Sequence, residues 1–147
     1  MAVQPDFKDL LVLFNANKVD YIIVGAYALA YHGVPRATGD IDILVHPNKQ
    51  NAQSILKALK EFGFSSVNLK TDDFSVPGKV IQLGVAPVRI DIMTSLTGVS
   101  WKEAIAGRKA GFYGNIPVKY LGIKQFIANK RALGRKKDIA DLEALDK

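Results

Sequence analysis

A short stretch of alternating acidic and aliphatic residues constrains the fold of this chain more than any other feature. Residues 39–45 read Gly-Asp-Ile-Asp-Ile-Leu-Val, so Asp40 and Asp42 alternate with Ile41 and Ile43. Successive side chains of a strand point to opposite faces, so the pattern predicts a strand with one apolar face and one face that carries two carboxylates. Cα atoms two residues apart in a strand are separated by roughly 6.5 to 7 Å. The two carboxylates can therefore share one cation.

A second apolar segment carries a third acid in the same way. Asp91 stands between Ile90 and Ile92 in the run 88–93, which predicts a core strand made to hold a carboxylate on its other face. Carboxylates gathered at the centre of a sheet repel one another and raise their own pKa values unless a cation is present. Oxygen ligands without any cysteine favour Mg²⁺ or Mn²⁺ over zinc. The pattern indicates metal-assisted phosphoryl transfer, with Asp40, Asp42 and Asp91 as metal ligands.

The order of apolar periodicities predicts an α/β fold in which helices flank a mixed β-sheet, followed by a C-terminal helical segment over about residues 121–147. Ser100 and Glu103 have the spacing of a capping box and mark one helix start. The predicted helices are 6–17, 26–31, 53–62 and 101–107, with one or two more broken near Gly134; the predicted strands are 21–24, 39–45, 64–69, 79–85, 88–94 and 111–120, with a polar loop over 71–78.

Length and composition favour one domain over residues 1–147. A chain of 147 residues with 48% hydrophobic residues has enough apolar surface for a single core. The absence of cysteine excludes disulfides and thiol nucleophiles. We find neither a signal-peptide pattern nor an apolar run of the roughly 18 residues that a membrane helix needs. The expectation is a cytoplasmic protein with no membrane partner.

The basic charge is concentrated in the second part of the chain. Residues 1–91 carry nine Lys/Arg and nine Asp/Glu, whereas residues 92–147 carry eleven and five. Between positions 104 and 137 there are nine basic residues and no acidic one. This part should attract an anionic partner such as a triphosphate or RNA, although a solvated basic surface is the plainer explanation for any single lysine.

A small-residue turn precedes the aspartates. Val24-Gly25-Ala26 ends an apolar strand and opens a helix, where free backbone N–H groups can approach a phosphate. The turn, the spacer, Asp-x-Asp and a distant third Asp together resemble the nucleotidyltransferases of the DNA polymerase beta superfamily. The run from position 24 through Gly33-Val34-Pro35-Arg36 to Asp42 is similar to the small bacterial enzymes related to AbiE-type abortive-infection toxins. The closing pattern of Lys130, Arg135, Lys137, Asp138 and Asp141 is similar to theirs as well.

The resemblance implies transfer of a nucleoside monophosphate from a nucleoside triphosphate to a hydroxyl acceptor, plausibly RNA such as tRNA, with Mg²⁺ or Mn²⁺ as cofactor. It also implies a cognate antitoxin as partner. Asp40, Asp42 and Asp91 would bind metal, and Asp91 would also accept the proton of the acceptor hydroxyl. The nucleotide-binding residues implied by position are Gly25, Ala26, Arg36, Thr38, Lys130 and Arg135.

Two other functions remain open from the sequence. The acceptor could be a small hydroxylated molecule, as in antibiotic-inactivating relatives. The chain could also be a nucleotide-binding or protein-interaction module that has lost transfer, because Ala26 stands where these families usually carry glycine or serine.

Several of the implied side chains also have structural explanations. Arg36 and Thr38 could stabilise a turn after Pro35, and Lys137 could simply pair with Asp141 one helical turn later. Arg89 could tune Asp91 or only neutralise it. The aromatic residues Trp101, Phe112 and Tyr113 could stack on a base, although such residues more often belong to a core or its rim.

Overall fold

The computed structural model describes residues 3–35, 38–64, 68–85 and 88–146, except for the side chain of Val85. Within these residues the chain forms six strands and seven helices, none of which is long and apolar enough to cross a membrane. The helices are α1 (Pro5–Ala16), α2 (Gly25–Tyr31), α3 (Lys49–Phe62), α4 (Asp72–Ser75), α5 (Trp101–Gly107), α6 (Ile123–Leu133) and α7 (Lys136–Leu145). The strands are β1 (Tyr21–Val24), β2 (Asp40–Val45), β3 (Val80–Val85), β4 (Val88–Met93), β5 (Lys109–Tyr113) and β6 (Ile116–Tyr120).

The six strands form one mixed sheet in the order β3-β4-β2-β1-β6-β5. β2 pairs in parallel with β4 and antiparallel with β1, so it lies between these two strands. The two segments that carry the predicted aspartates are therefore direct neighbours in the middle of the sheet. The predicted α/β fold, with helices flanking a mixed sheet and a helical C-terminal segment, is confirmed.

The core follows the predicted alternation. Ile41 and Ile43 are completely buried, as is Ile92 on β4. Each such side chain contributes roughly 1.5 to 3 kcal/mol by leaving water. Helix α1 adds its own apolar face, on which Phe7 and Phe14 are also buried. Burial of the aliphatic face fixes the register of β2 and β4, because a shift of one residue would send the carboxylates into the core.

Two predicted strands are wrong. Phe64 and residues 68–70 are not in a strand, and residues 65–67 lie outside the described part. Phe64 instead helps to close α3: Gly63 adopts a left-handed conformation, and the Phe64 N–H donates to the carbonyl of Leu59 at 2.9 Å. Residues 111–120 form not one strand but the hairpin of β5 and β6, which turns at Gly114 with a φ of +61°. The Gly-Asn pair at 114–115 is a hairpin signal that explains the difference.

The C-terminal helices form a hairpin, as predicted. α6 ends at Gly134, which adopts a φ of +65° and lets the chain reverse into α7. The predicted loop over residues 71–78 contains one short helix, α4.

Candidate active site

The pairing of β2 with β4 brings the three predicted aspartates together. Asp42 lies directly opposite Asp91, and Asp40 lies opposite Arg89. Because these four residues alternate with buried isoleucines, they project from the same face of the sheet. Asp91 is buried, whereas 36% of the Asp40 side chain is exposed. Solvent exposure therefore increases across the site from Asp91 to Asp40.

Asp42 has the most perturbed environment of the three aspartates. Burial raises the pKa of its carboxyl group to about 6, and the charges of Asp91 and Asp40 act in the same direction. The ammonium group of Lys130 opposes this rise and partly lowers the pKa. Asp42 is still mainly ionised at neutral pH, but its charge is less favourable in the folded protein than in water, so a further positive charge near it would be stabilising.

Arg89 connects two of the carboxylates. Its Nη2 donates to Oδ2 of Asp40 at 2.7 Å and to Oδ2 of Asp91 at 3.3 Å. Its Nε lies 3.2 Å from Oδ1 of Asp91 as an ion pair, and both atoms are buried without a hydrogen bond. Arg89 was predicted either to tune Asp91 or to neutralise its charge. The contacts are those of charge neutralisation, and they involve Asp40 as well as Asp91.

The glycine turn lies directly against Asp42. Gly25 begins α2 with a φ of +66°, and a Cβ atom there would collide with the carboxylate of Asp42, lying 2.9 Å from its Cγ. Only glycine combines this backbone conformation with this close approach. The turn and the central carboxylate are therefore one packed unit, with Ala26 as the next residue.

A buried ionic network joins α6 to α7. The Nζ atom of Lys130 lies 3.2 Å from Oδ1 of Asp138 and 3.4 Å from Oδ2 of Asp141. Arg135, at the start of α7, reaches Oδ2 of the fully buried Asp138 at 2.6 Å. The Arg135 and Lys130 hydrogen bonds hold the pKa of Asp138 at about 2. The closing pattern named Asp138 without a role; it is the third residue of α7, where its Oδ2 accepts from the backbone N–H of Arg135 at 3.0 Å.

The remaining predicted nucleotide-binding residues are less informative. The Thr38 hydroxyl accepts from the backbone N–H of Asp40 at 3.2 Å and donates to its carbonyl at 3.3 Å, which is the local turn role. Arg36 lies outside the described residues. His32 caps the C-terminus of α2, and its Nε2 contacts the carbonyl of Leu121 at 2.7 Å rather than an aspartate.

The donor atoms suit a hard divalent cation in chemical type. They are carboxylate oxygens on adjacent strands, and Oδ1 of Asp91 has no aligned hydrogen bond. As the side chains stand, no three Asp, Glu or His residues within the described ranges are close enough together to hold a metal ion. Arg89 is bound to two of the three carboxylates in this arrangement.

The described sheet, with its flanking helices, has the fold of the nucleotidyltransferases. Solved structures that share it include the following three. A protein of Thermotoga maritima named as a candidate nucleotidyltransferase superposes with a TM-score of 0.66 at 17% identity, over 97% of this chain and 93% of its own. The antibiotic-resistance factor ANT(2″)-Ia superposes with a TM-score of 0.62 at 13% identity, over 96% of this chain and 80% of its own.

An antigenic nucleotidyltransferase-like protein from Paracoccidioides brasiliensis has a TM-score of 0.57 at 14% identity, over 96% of this chain and 73% of its own. No protein family and no curated protein matches the sequence. At identities this low, the likeness is one of fold.

Proposed function

We propose that this protein transfers a nucleoside monophosphate from a nucleoside triphosphate to a hydroxyl acceptor. The observation that carries the proposal is the packing of Asp42 between Asp91 and the Gly25 turn. Such a cluster is electrostatically unfavourable, as the raised pKa of Asp42 shows. Perturbed carboxylates of this kind gather where function requires them.

In this proposal Asp40, Asp42 and Asp91 hold Mg²⁺ or Mn²⁺. When bound, such an ion neutralises developing charge on the transferred phosphate and its leaving group. Asp91 also accepts the proton of the acceptor hydroxyl, through the carboxylate oxygen that lacks an aligned hydrogen bond. The backbone N–H groups of Gly25 and Ala26 face the phosphates at the start of α2.

In the same proposal, the basic residues Lys130 and Arg135 bind the nucleotide. The charge of Lys130 lowers the pKa of Asp42, and in this proposal its ammonium group also contacts the triphosphate. Half of the Arg135 side chain is exposed, which leaves part of the guanidinium accessible while it binds Asp138. Thr38 and Arg36 complete the proposed nucleotide site from the segment before β2.

The test is transfer of label from each of four α-³²P nucleoside triphosphates, with Mg²⁺, to tRNA, to other RNA and to small hydroxylated acceptors. Asp42→Asn and Asp91→Asn should each lower transfer by at least about a hundredfold while remaining folded by circular dichroism. Asp9→Asn, an exposed acid on α1, is the matched control. Full activity of Asp42→Asn, or no transfer to any acceptor, would contradict the proposal.

RNA such as tRNA is the acceptor that the concentration of basic residues after position 92 favours. The toxin role and its antitoxin belong to the same proposal, and growth arrest on expression would support them. The likeness of fold to ANT(2″)-Ia favours a small antibiotic-type acceptor as the second candidate. Transfer to RNA should weaken steeply with salt, whereas transfer to a small molecule should show little slope.

An inactive nucleotide-binding or interaction module is the third candidate, because Ala26 stands at the turn. Calorimetry separates it from the enzymes. Tight binding of a triphosphate with Mg²⁺, together with no turnover across the acceptor set, would favour the module over both kinds of enzyme.

A further inference from the structure

The outer hairpin of the sheet has one uncovered face. Across it, Ala110 pairs with Lys119 and Phe112 pairs with Pro117, and all four residues are exposed. The alternate residues pack inward: Tyr113, Val118 and Tyr120 are buried. Phe112 is 66% exposed. A large aromatic side chain that is exposed on an edge strand promotes aggregation unless it binds a partner.

This face borders a cleft of about 480 Å³ between the start of β1 and the outer hairpin. β1 and β6 pair at Ile23 and Tyr120. The cleft is lined by residues 19–21 on one side and 117–119 on the other. The volume lies within the usual range of ligand sites.

The mouth of the cleft is basic. The charged residues that line it are Lys18, Arg108 and Lys119 against a single acid, Asp20. They come from three separate places in the chain: the turn after α1, the end of α5 and strand β6. Lys18 adopts a φ of +55° at the C-terminal end of α1, where the Val19 N–H donates to the carbonyl of Phe14 at 2.9 Å, so this conformation closes the helix and places Lys18 at the cleft.

Lysines that guard an edge strand against aggregation would not explain this arrangement. Lys119 lies on β6, between β1 and β5 rather than at the edge, and Lys18 and Arg108 lie outside the strands. Protection of the edge also does not explain Phe112, because an exposed aromatic side chain on an edge strand favours aggregation. Cations around an exposed aromatic ring are the combination that binds single-stranded nucleic acid, with phosphates on the cations and a base on the ring.

We propose that this cleft binds single-stranded RNA, with a base stacked on Phe112 and phosphates on Arg108, Lys119 and Lys18. The proposal rests on the proposed function only in taking RNA as the acceptor. From the registers, Tyr120 shares a face with Ile23 and Ile43, so Lys119 projects from the same face as Asp42.

The test is the binding of a fluorescein-labelled twelve-nucleotide oligouridylate, followed by anisotropy with EDTA present so that transfer cannot occur. Phe112→Ala should weaken binding roughly tenfold, the loss expected for one stacked base. The double variant Arg108→Gln/Lys119→Gln should reduce the slope of log affinity against log salt by about 1.4, for two phosphate contacts. The matched control is Lys49→Gln/Lys57→Gln, which removes the same charge from exposed positions on α3.

Melting temperatures first establish that each variant is folded, so that a change in affinity reports on RNA binding. Unchanged affinity in both cleft variants would overturn the proposal, as would an equal loss in the α3 control, which would indicate an unspecific charge effect. ATP alone binding the cleft as tightly as the oligonucleotide would also overturn it. RNA binding that depends on the cleft, in a protein that transfers nothing, would support this proposal while contradicting the proposed function.

Discussion

Replacing Asp42 by Asn should make the metal-free protein more stable at neutral pH. The carboxyl group of Asp42 has a pKa of about 6 in the folded protein, against an ordinary value of 3.8, because it is buried beside Asp91 and Asp40. At pH 7.5 the folded protein must therefore keep an ionised group that it disfavours. Asparagine has nearly the same shape and no charge, so it removes this penalty.

The magnitude follows from linkage between protonation and folding. A rise of about two pKa units corresponds to about 3 kcal/mol, which is an upper value because an amide also loses some hydration on burial. Between pH 4 and pH 6 the folded state binds more protons than the unfolded state, so the free energy of unfolding falls as the pH rises through this window. The penalty is complete above pH 6 and absent near pH 4.

The assay is urea unfolding followed by circular dichroism in EDTA, at pH 7.5 and at pH 4.0. Asp42→Asn should exceed the wild type by about 1 to 3 kcal/mol at pH 7.5 and should match it at pH 4.0. Asp9→Asn should show no such difference between the two pH values. Added Mn²⁺ should then stabilise the wild type more than Asp42→Asn, because the ion binds only the folded state.

Two results would refute this reasoning. An Asp42→Asn protein less stable than the wild type at pH 7.5 would mean that the carboxylate is held by favourable contacts. An equal advantage at both pH values would mean that the gain comes from packing rather than from charge.

Further substitutions test the surrounding contacts. Gly25→Ala should lower the free energy of unfolding by about 2 kcal/mol or more, because its Cβ meets Asp42 at a positive φ; urea unfolding indistinguishable from wild type would contradict the packing described. Asp138→Asn should lose about 3 kcal/mol by leaving Lys130 short of a buried partner. The wild type should also lose stability as the pH falls from about 4 to 2, since the pKa of Asp138 is about 2 when folded, and the variant should lose less in that window. Ser100→Ala should cost about 1 kcal/mol in thermal unfolding by removing a helix cap, with nucleotide transfer unchanged; a loss of transfer would contradict it.

The predicted fold could be confirmed because its signals are local. Alternation of Asp40 and Asp42 with isoleucine is a property of seven consecutive residues, and the burial of those isoleucines bears it out. The pairing of β2 with β4 is different, since Arg89 and Asp40 are 49 residues apart. The sequence could place a carboxylate on each strand, but only the assembled sheet sets them opposite one another.

Other features could not be predicted, because they depend on contacts between distant segments. The apolar Phe64 suits a strand locally, yet closing α3 leaves it packed at the helix end. Arg89 was predicted to act on Asp91 in its own strand, whereas its shorter bond is to Asp40 on the neighbouring strand. The burial of Asp138 likewise depends on how α7 folds back on α6.

The position of Lys130 makes α7 part of the electrostatics of Asp42. The ammonium group of Lys130 pairs with Asp138 and Asp141 on α7, and its charge also lowers the pKa of Asp42. If the chain ended at Gly134, both partners on α7 would be lost, and the whole charge of Lys130 would act on Asp42. The proton affinity of the central carboxylate is thus adjusted from the last helix, so a partner that pulled α7 away would change the acidity of Asp42 without touching it.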